Sequence, residues 1–166
     1  MRLKDFLNEE VTREESDRFK VKWTNELFNK YGATIKGSEH FDKDRLNDPR
    51  NKPPITIEEL DWLLTEWFNK HGAQFKKDVE AVKNNIARPR GINKKRIPHN
   101  NLEWVISGSV KNRNRIHIVL ALRQLKDQTG KGTKGTAILV IQSVIRTRNK
   151  KITMGEYFDV GTYEME

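Results

Sequence analysis

The apolar residues of this chain change period once, at Pro89, and that change limits the folds open to it. Before it, Phe19, Trp23 and Leu27, then Leu60, Leu63, Leu64, Trp67 and Phe68, recur three or four positions apart, as on one face of a helix. After it come LEWVISGSV (102–110), RIHIVLALRQL (115–125) and GTAILVIQSVIRT (135–147). These runs are rich in β-branched residues and separated by polar turns. Helices first and strands second describe an α+β domain. The expectation is N-terminal helices packed on one face of a C-terminal antiparallel sheet of three to four strands.

Thr12 with Glu15 forms a capping box, which predicts a helix over about 12–31 with Gly32 as its stop. The KVKW run inside it (20–23) also reads as a strand. ATIKGS (33–38) reads as a link. Ser38 is placed to cap a short helix over about 39–47 that Pro49 ends. Thr56 and Glu59 form a second capping box, and Gly72 reads as the close of that helix. Phe75, Val79, Val82 and Ile86 predict a further helix over about 74–87. VKNRNR (110–115) reads as a hairpin turn, KDQTGKGTKG (126–135) as a longer basic loop, and KITMGEYFDV (151–160) as a last short strand. A chain of 166 residues has the size of one domain. Residues 1–9 precede the first apolar stripe and read as a removable segment ahead of a domain over 10–166.

Charge divides the chain differently. Residues 1–80 sum to −2, residues 81–151 to +15 and residues 152–166 to −4, which gives the overall +9. In the middle segment 17 Lys and Arg face only Glu103 and Asp127. So basic a stretch concentrates polyanions near it, and RNA or DNA is the expected partner. The candidate contacts are Lys94, Lys95, Arg96, Arg113, Arg115, Lys131, Lys134 and Arg148. The bland alternative is a solvated basic surface. There is no cysteine, so disulfides and thiolate metal sites are excluded. No apolar run is long enough to cross a membrane, and residues 1–10 lack the apolar centre of a secretory signal. His40, His71, His99 and His117 include no i, i+4 pair of the helical zinc type, so no metal and no cofactor is expected. GKGTKG lacks the spacing of a nucleotide-binding P-loop.

The stretch HFDKDRLNDPRN (40–51) gathers groups suited to phosphate chemistry. RNA cleavage without metal needs a base, an acid and fixed cations for the phosphoryl charge. A histidine is the side chain suited to acid–base work near neutral pH, and on a helix Asp44 shares the face of His40 and could fix its tautomer. Arg45 and Arg50 could supply cations. On the strands, Ser143 and Arg146 of IQSVIRT are the candidates to complete the site. A spacing of three puts them on opposite faces of a regular strand, so a bulge is needed to bring them together. The bland reading of DPRN is an ordinary turn with local Asp and Asn bonds. His71 beside Gly72 reads as a helix-end cation, and His117 as a packed strand residue.

Two resemblances add to these readings. HFDKDRLNDPRNKPPITIEEL (40–60) resembles a segment of a tailed-phage protein family, and IQSVIRTRNKKI (141–152) resembles that family's final strand. In outline the family is similar to the RelE-type and phage early-mRNA endoribonucleases, which place helices before an antiparallel sheet and cleave RNA without metal. The early-mRNA nuclease of T-even phages carries H-L-L-D-R. Here His40 and Arg45 stand five apart, one position more, and on a regular helix that spacing turns Arg45 away. MRLKDFLNE (1–9) resembles the capsid-targeting peptide of T-even internal head proteins, with Phe6, Leu7, Asn8 and Glu9 at the matching places. That resemblance implies cleavage after Glu9, packaging with DNA in the virion, and injection into the host cytoplasm. The expected activity is a metal-independent endoribonuclease with His40, Asp44, Arg45, Arg50, Ser143 and Arg146 in its site. The alternative is a non-enzymatic basic head protein that binds nucleic acid or a host defence protein.

Overall fold

Helix α1 (Arg13–Tyr31) forms where its sequence signals place it. The Thr12 side chain accepts from the Glu15 amide and Glu15 reaches back, closing the capping box. Gly32, at φ 72°, ends the helix in the left-handed conformation that glycine adopts without steric cost. The structure, a computed structural model, describes residues 11–84, 88–90, 95–97, 102–126, 132–147 and 156–164. Expectations for residues 1–9, and for Lys94, Lys131 and Arg148, fall outside it. For Lys95, Arg96 and Lys134 the backbone alone is described.

Helix α2 (Ile57–Lys83) runs for 27 residues through Gly72. The expected stop there, and the separate helix after it, are therefore corrected to one element. The apolar stripe explains the continuity: Leu60, Leu64, Trp67, Phe68, Phe75, Val79 and Val82 are all buried on one face. Gly72 serves packing instead, because a Cβ there would lie 2.5 Å from Tyr31 Oη of α1. His71 is thus mid-helix, its ring 4.4 Å from that of Phe158.

The strands are β1 (Thr34–Gly37), β2 (Arg88–Arg90), β3 (Lys95–Ile97), β4 (Leu102–Val110), β5 (Arg115–Lys126), β6 (Gly132–Thr147) and β7 (Glu156–Tyr163). Five of them make one sheet in the order β1-β6-β5-β4-β7, and β2 and β3 pair separately. The central β4–β5–β6 meander is antiparallel, as expected. The edges correct the expectation of a purely antiparallel sheet of three to four strands. β1 joins β6 in parallel and β7 joins β4 in parallel. The link at 33–38 conceals β1, a strand of only four residues whose single buried residue is Ile35. Much of the expected 126–135 loop is strand, since β6 begins at Gly132 opposite Lys126.

Both helices lie on one face of this sheet. The core between them takes Phe19, Trp23, Leu64, Trp67 and Phe75 from the helices, and Trp104, Ile106, Ile118, Leu120 and Ile141 from the strands. The other face carries its own buried residues, Val105, Ser107, His117 and Val119 among them.

Candidate functional site

Between β1 and α2 the chain makes a π-helical turn, Phe41–Arg45, closed by the Leu46 amide on the Phe41 carbonyl at 3.0 Å. Ser38 positions it. Its Oγ accepts from the Phe41 amide at 3.0 Å and donates to the Gln142 carbonyl of β6 at 3.0 Å. Phe41, fully buried, pins the turn into the core. The i→i+5 bond changes which side chains meet: positions five apart now share a face. Arg45 therefore comes back to His40, and the expectation that it turns away is corrected by this geometry.

Three side chains form a hydrogen-bonded row. Arg45 Nε donates to His40 Nε2 at 2.7 Å, and His40 Nδ1 lies 3.0 Å from Asp44 Oδ2. Arginine can only donate, so Nε2 is the acceptor, and Nδ1–H points at the carboxylate. Asp44 thus meets the ring from the face that the four-residue spacing predicts. The row faces solvent, with the His40 side chain 51% exposed and that of Asp44 64%.

The next residues extend the row. Asp48 accepts from Arg50 Nη2 at 2.7 Å and lies 3.7 Å from Arg45 Nη1. Arg50 holds the Asp48 carboxyl far below its ordinary range, at about 2. Lys43 pairs with Glu39 at 2.7 Å and Lys20 with Asp42 at 3.2 Å. Within residues 39–52 four acids balance four Lys and Arg, so the turn attracts no polyanion by net charge. Sequence reasoning passed over Asp48 as a turn former. The signal was its position two residues before Arg50, which lets one carboxylate bond both the backbone and the side chain of that arginine.

The strand residues do not join this row. Arg146 is buried, and its guanidinium donates to Glu59 at 2.6 and 2.7 Å, to the Pro53 carbonyl at 2.7 Å and to the Asn114 carbonyl at 2.9 Å. Its assignment to catalysis is corrected: it ties α2, the 51–54 loop and the β4–β5 turn together. Removing one partner of such a buried pair typically costs about 3–5 kcal/mol. Asn51, also missed, links the site to the sheet by accepting from the Arg146 amide at 2.9 Å and donating to the Arg45 carbonyl at 3.1 Å. Ser143 lies opposite Val119 and Arg146 opposite Ile116. The irregularity in β6 falls at Gln142, ahead of both, so it leaves them on opposite faces. Among the described residues no hydrogen bond joins His40 to a strand.

A second polar cluster sits on the sheet face away from the helices. Arg115 Nη1 donates to Ser107 Oγ at 3.1 Å and to Asp159 Oδ2 at 2.8 Å. His117 is fully buried beside them, and neither ring nitrogen has a hydrogen-bond partner among the described residues. Arg113, the neighbouring expected contact, lies 3.7 Å from Glu59. Lys111 and Arg123 remain exposed. The described residues contain no cluster of His, Asp and Glu able to hold a metal, and no helix long and apolar enough to cross a membrane. Compared with family models, with curated protein sequences and with solved structures, the chain matches none.

Proposed function

We propose that the chain is a nucleic-acid-binding protein whose strand-rich half supplies the polyanion surface. The observation that carries this reading is the +15 of residues 81–151, the segment in which β4, β5 and β6 lie. The turn at 40–51 adds no net positive charge to that surface, since residues 39–52 balance four acids against four Lys and Arg. The exposure of His40 also favours binding over catalysis, since charge stabilisation in a transition state is weaker where water screens it. Packaging in a phage head and delivery to host cytoplasm extend the reading through the resemblance of residues 1–9, and a basic chain suits a DNA-filled capsid.

A second reading is a metal-independent endoribonuclease centred on His40. The Asp44–His40–Arg45 row favours it, because the ring is oriented by a carboxylate and stands beside a guanidinium. One experiment separates the two. Labelled single-stranded RNA and duplex DNA are titrated with the whole protein at two salt concentrations, with chelator present, and products are resolved by gel. Binding should weaken steeply with salt, and Lys111→Glu with Arg123→Glu should reduce the slope by about 0.7–0.9 for each phosphate that is no longer neutralised. Absence of binding at low salt would end the first reading. Cleavage in chelator that falls about a hundredfold or more in His40→Ala would establish the second.

A further inference from the structure

Asp48 sits between two arginines that reach solvent. Its side chain is only 12% exposed, while that of Arg50 is 73% exposed and that of Arg45 29%. Arg50 meets it through Nε at 3.1 and 3.2 Å and through Nη2 at 2.7 Å, and Arg45 Nη1 approaches to 3.7 Å. Two-pronged contact of this kind is also how a guanidinium takes a phosphate oxygen pair. Glu59 likewise gathers two arginines, but there Arg146 is buried and its other nitrogens are held by backbone carbonyls. Around Asp48 the guanidinium of Arg50 has no other partner among the described residues.

We propose that Arg45 and Arg50 form a phosphate clamp whose resting occupant is the Asp48 carboxylate of the same turn. Asp48 then sets how strongly the turn takes a phosphate. That the phosphate belongs to a nucleic-acid strand rests on the function proposed above. Three observations carry the exchange. The Arg50 side chain is 73% exposed, so a phosphate can reach its guanidinium from solvent and compete with Asp48 for it. Asp48 stays ionised at neutral pH and competes at full charge. Arg45 is shared between Asp48 and His40, so a phosphate drawing Arg45 away would also release the His40 Nε2 lone pair.

Asp48→Asn removes the charge but keeps an oxygen for the Arg50 amide, which Asp48 Oδ1 accepts at 2.9 Å. Glu39→Gln removes the same charge from the exposed pair with Lys43 and touches neither arginine. The Arg45 and Arg50 Nε–H signals are followed by NMR during titration with inorganic phosphate, and oligonucleotide affinity is measured at two salt concentrations. In Asp48→Asn, phosphate should move both signals at concentrations that leave wild type and Glu39→Gln unchanged. Oligonucleotide binding should gain about 0.7 in salt slope for one added single-strand phosphate, and Arg50→Ala in the same background should cancel the gain. Asp48→Ser, whose hydroxyl also supports the turn, repeats the measurement should the Asn variant lose its fold. Equal responses from Asp48→Asn and Glu39→Gln overturn the clamp. Arginine signals that respond to phosphate in a protein that binds no oligonucleotide keep the clamp, as a free-phosphate site, and refute the nucleic-acid reading.

Discussion

His117 illustrates what a single buried polar residue does to the stability of this fold. Burial, then the charge of Arg115, push its pKa from 6.5 down to about 4, and Asp159 opposes them. The folded chain therefore holds a neutral ring where the unfolded chain would take a proton. Its contribution is complete above pH 6.5 and is lost as pH falls toward about 4, over which range it amounts to on the order of 3 kcal/mol. Urea midpoints measured across that range should decline more steeply in wild type than in His117→Phe; parallel curves would show the ring charged within the fold. At this scale the candidate site was half legible. His40 and Asp44 stand four apart and meet as any helical pair does. Arg45 was misplaced because a π-turn depends on Phe41 and Ser38 docking against core and strand, which no local spacing announces. Arg146 read as a candidate for the catalytic site because its partners, Glu59, Pro53 and Asn114, are scattered along the chain.

Helix α2 shows how one element can contradict its own punctuation. A glycine inside a helix costs about 1 kcal/mol relative to alanine, so Gly72 read reasonably as a terminus. It persists because Tyr31, packed on Phe68 and edge-on to Phe75, puts its hydroxyl where a Cβ would stand. The next atom of that ring would be 3.6 Å away, an ordinary contact. Gly72→Ala should thus give little or no gain in wild type, and about 1 kcal/mol of stabilisation in a Tyr31→Phe background. Denaturant unfolding of the four proteins in that cycle measures the coupling, and a gain equal in both backgrounds would remove Tyr31 as the reason for the glycine. The sheet taught a similar lesson. The three central strands were plain from their β-branched runs, whereas β1 and the parallel pairing of β7 follow from how the chain returns to the sheet edges. Such returns are set by tertiary packing, and a four-residue strand carries too few side chains to signal it.

Across the whole molecule, a nearly charge-balanced helical half and a basic strand-rich half are tied together by a few polar residues. Asn51 joins the π-turn to β6, and Asn47 holds the start of α1 through an amide pair with Val11. The second of these ties defines where the removable segment should end. The Val11 amide donates to Asn47 Oδ1 at 3.0 Å, Asn47 Nδ2 donates to the Val11 carbonyl at 2.9 Å, and Val11 is buried within the core cluster. A chain cut after Glu9 keeps all of this, so its melting temperature should match that of the full chain. A chain cut after Val11 loses a buried side chain worth about 1.5–3 kcal/mol and leaves Asn47 unpaired. For a domain of this size that is a fall on the order of 5 °C or more. Calorimetry of the two truncations beside the full chain decides the boundary. A fall of that size already in the shorter deletion would mean that residues 1–9 pack against the domain and cannot serve as a detachable targeting peptide.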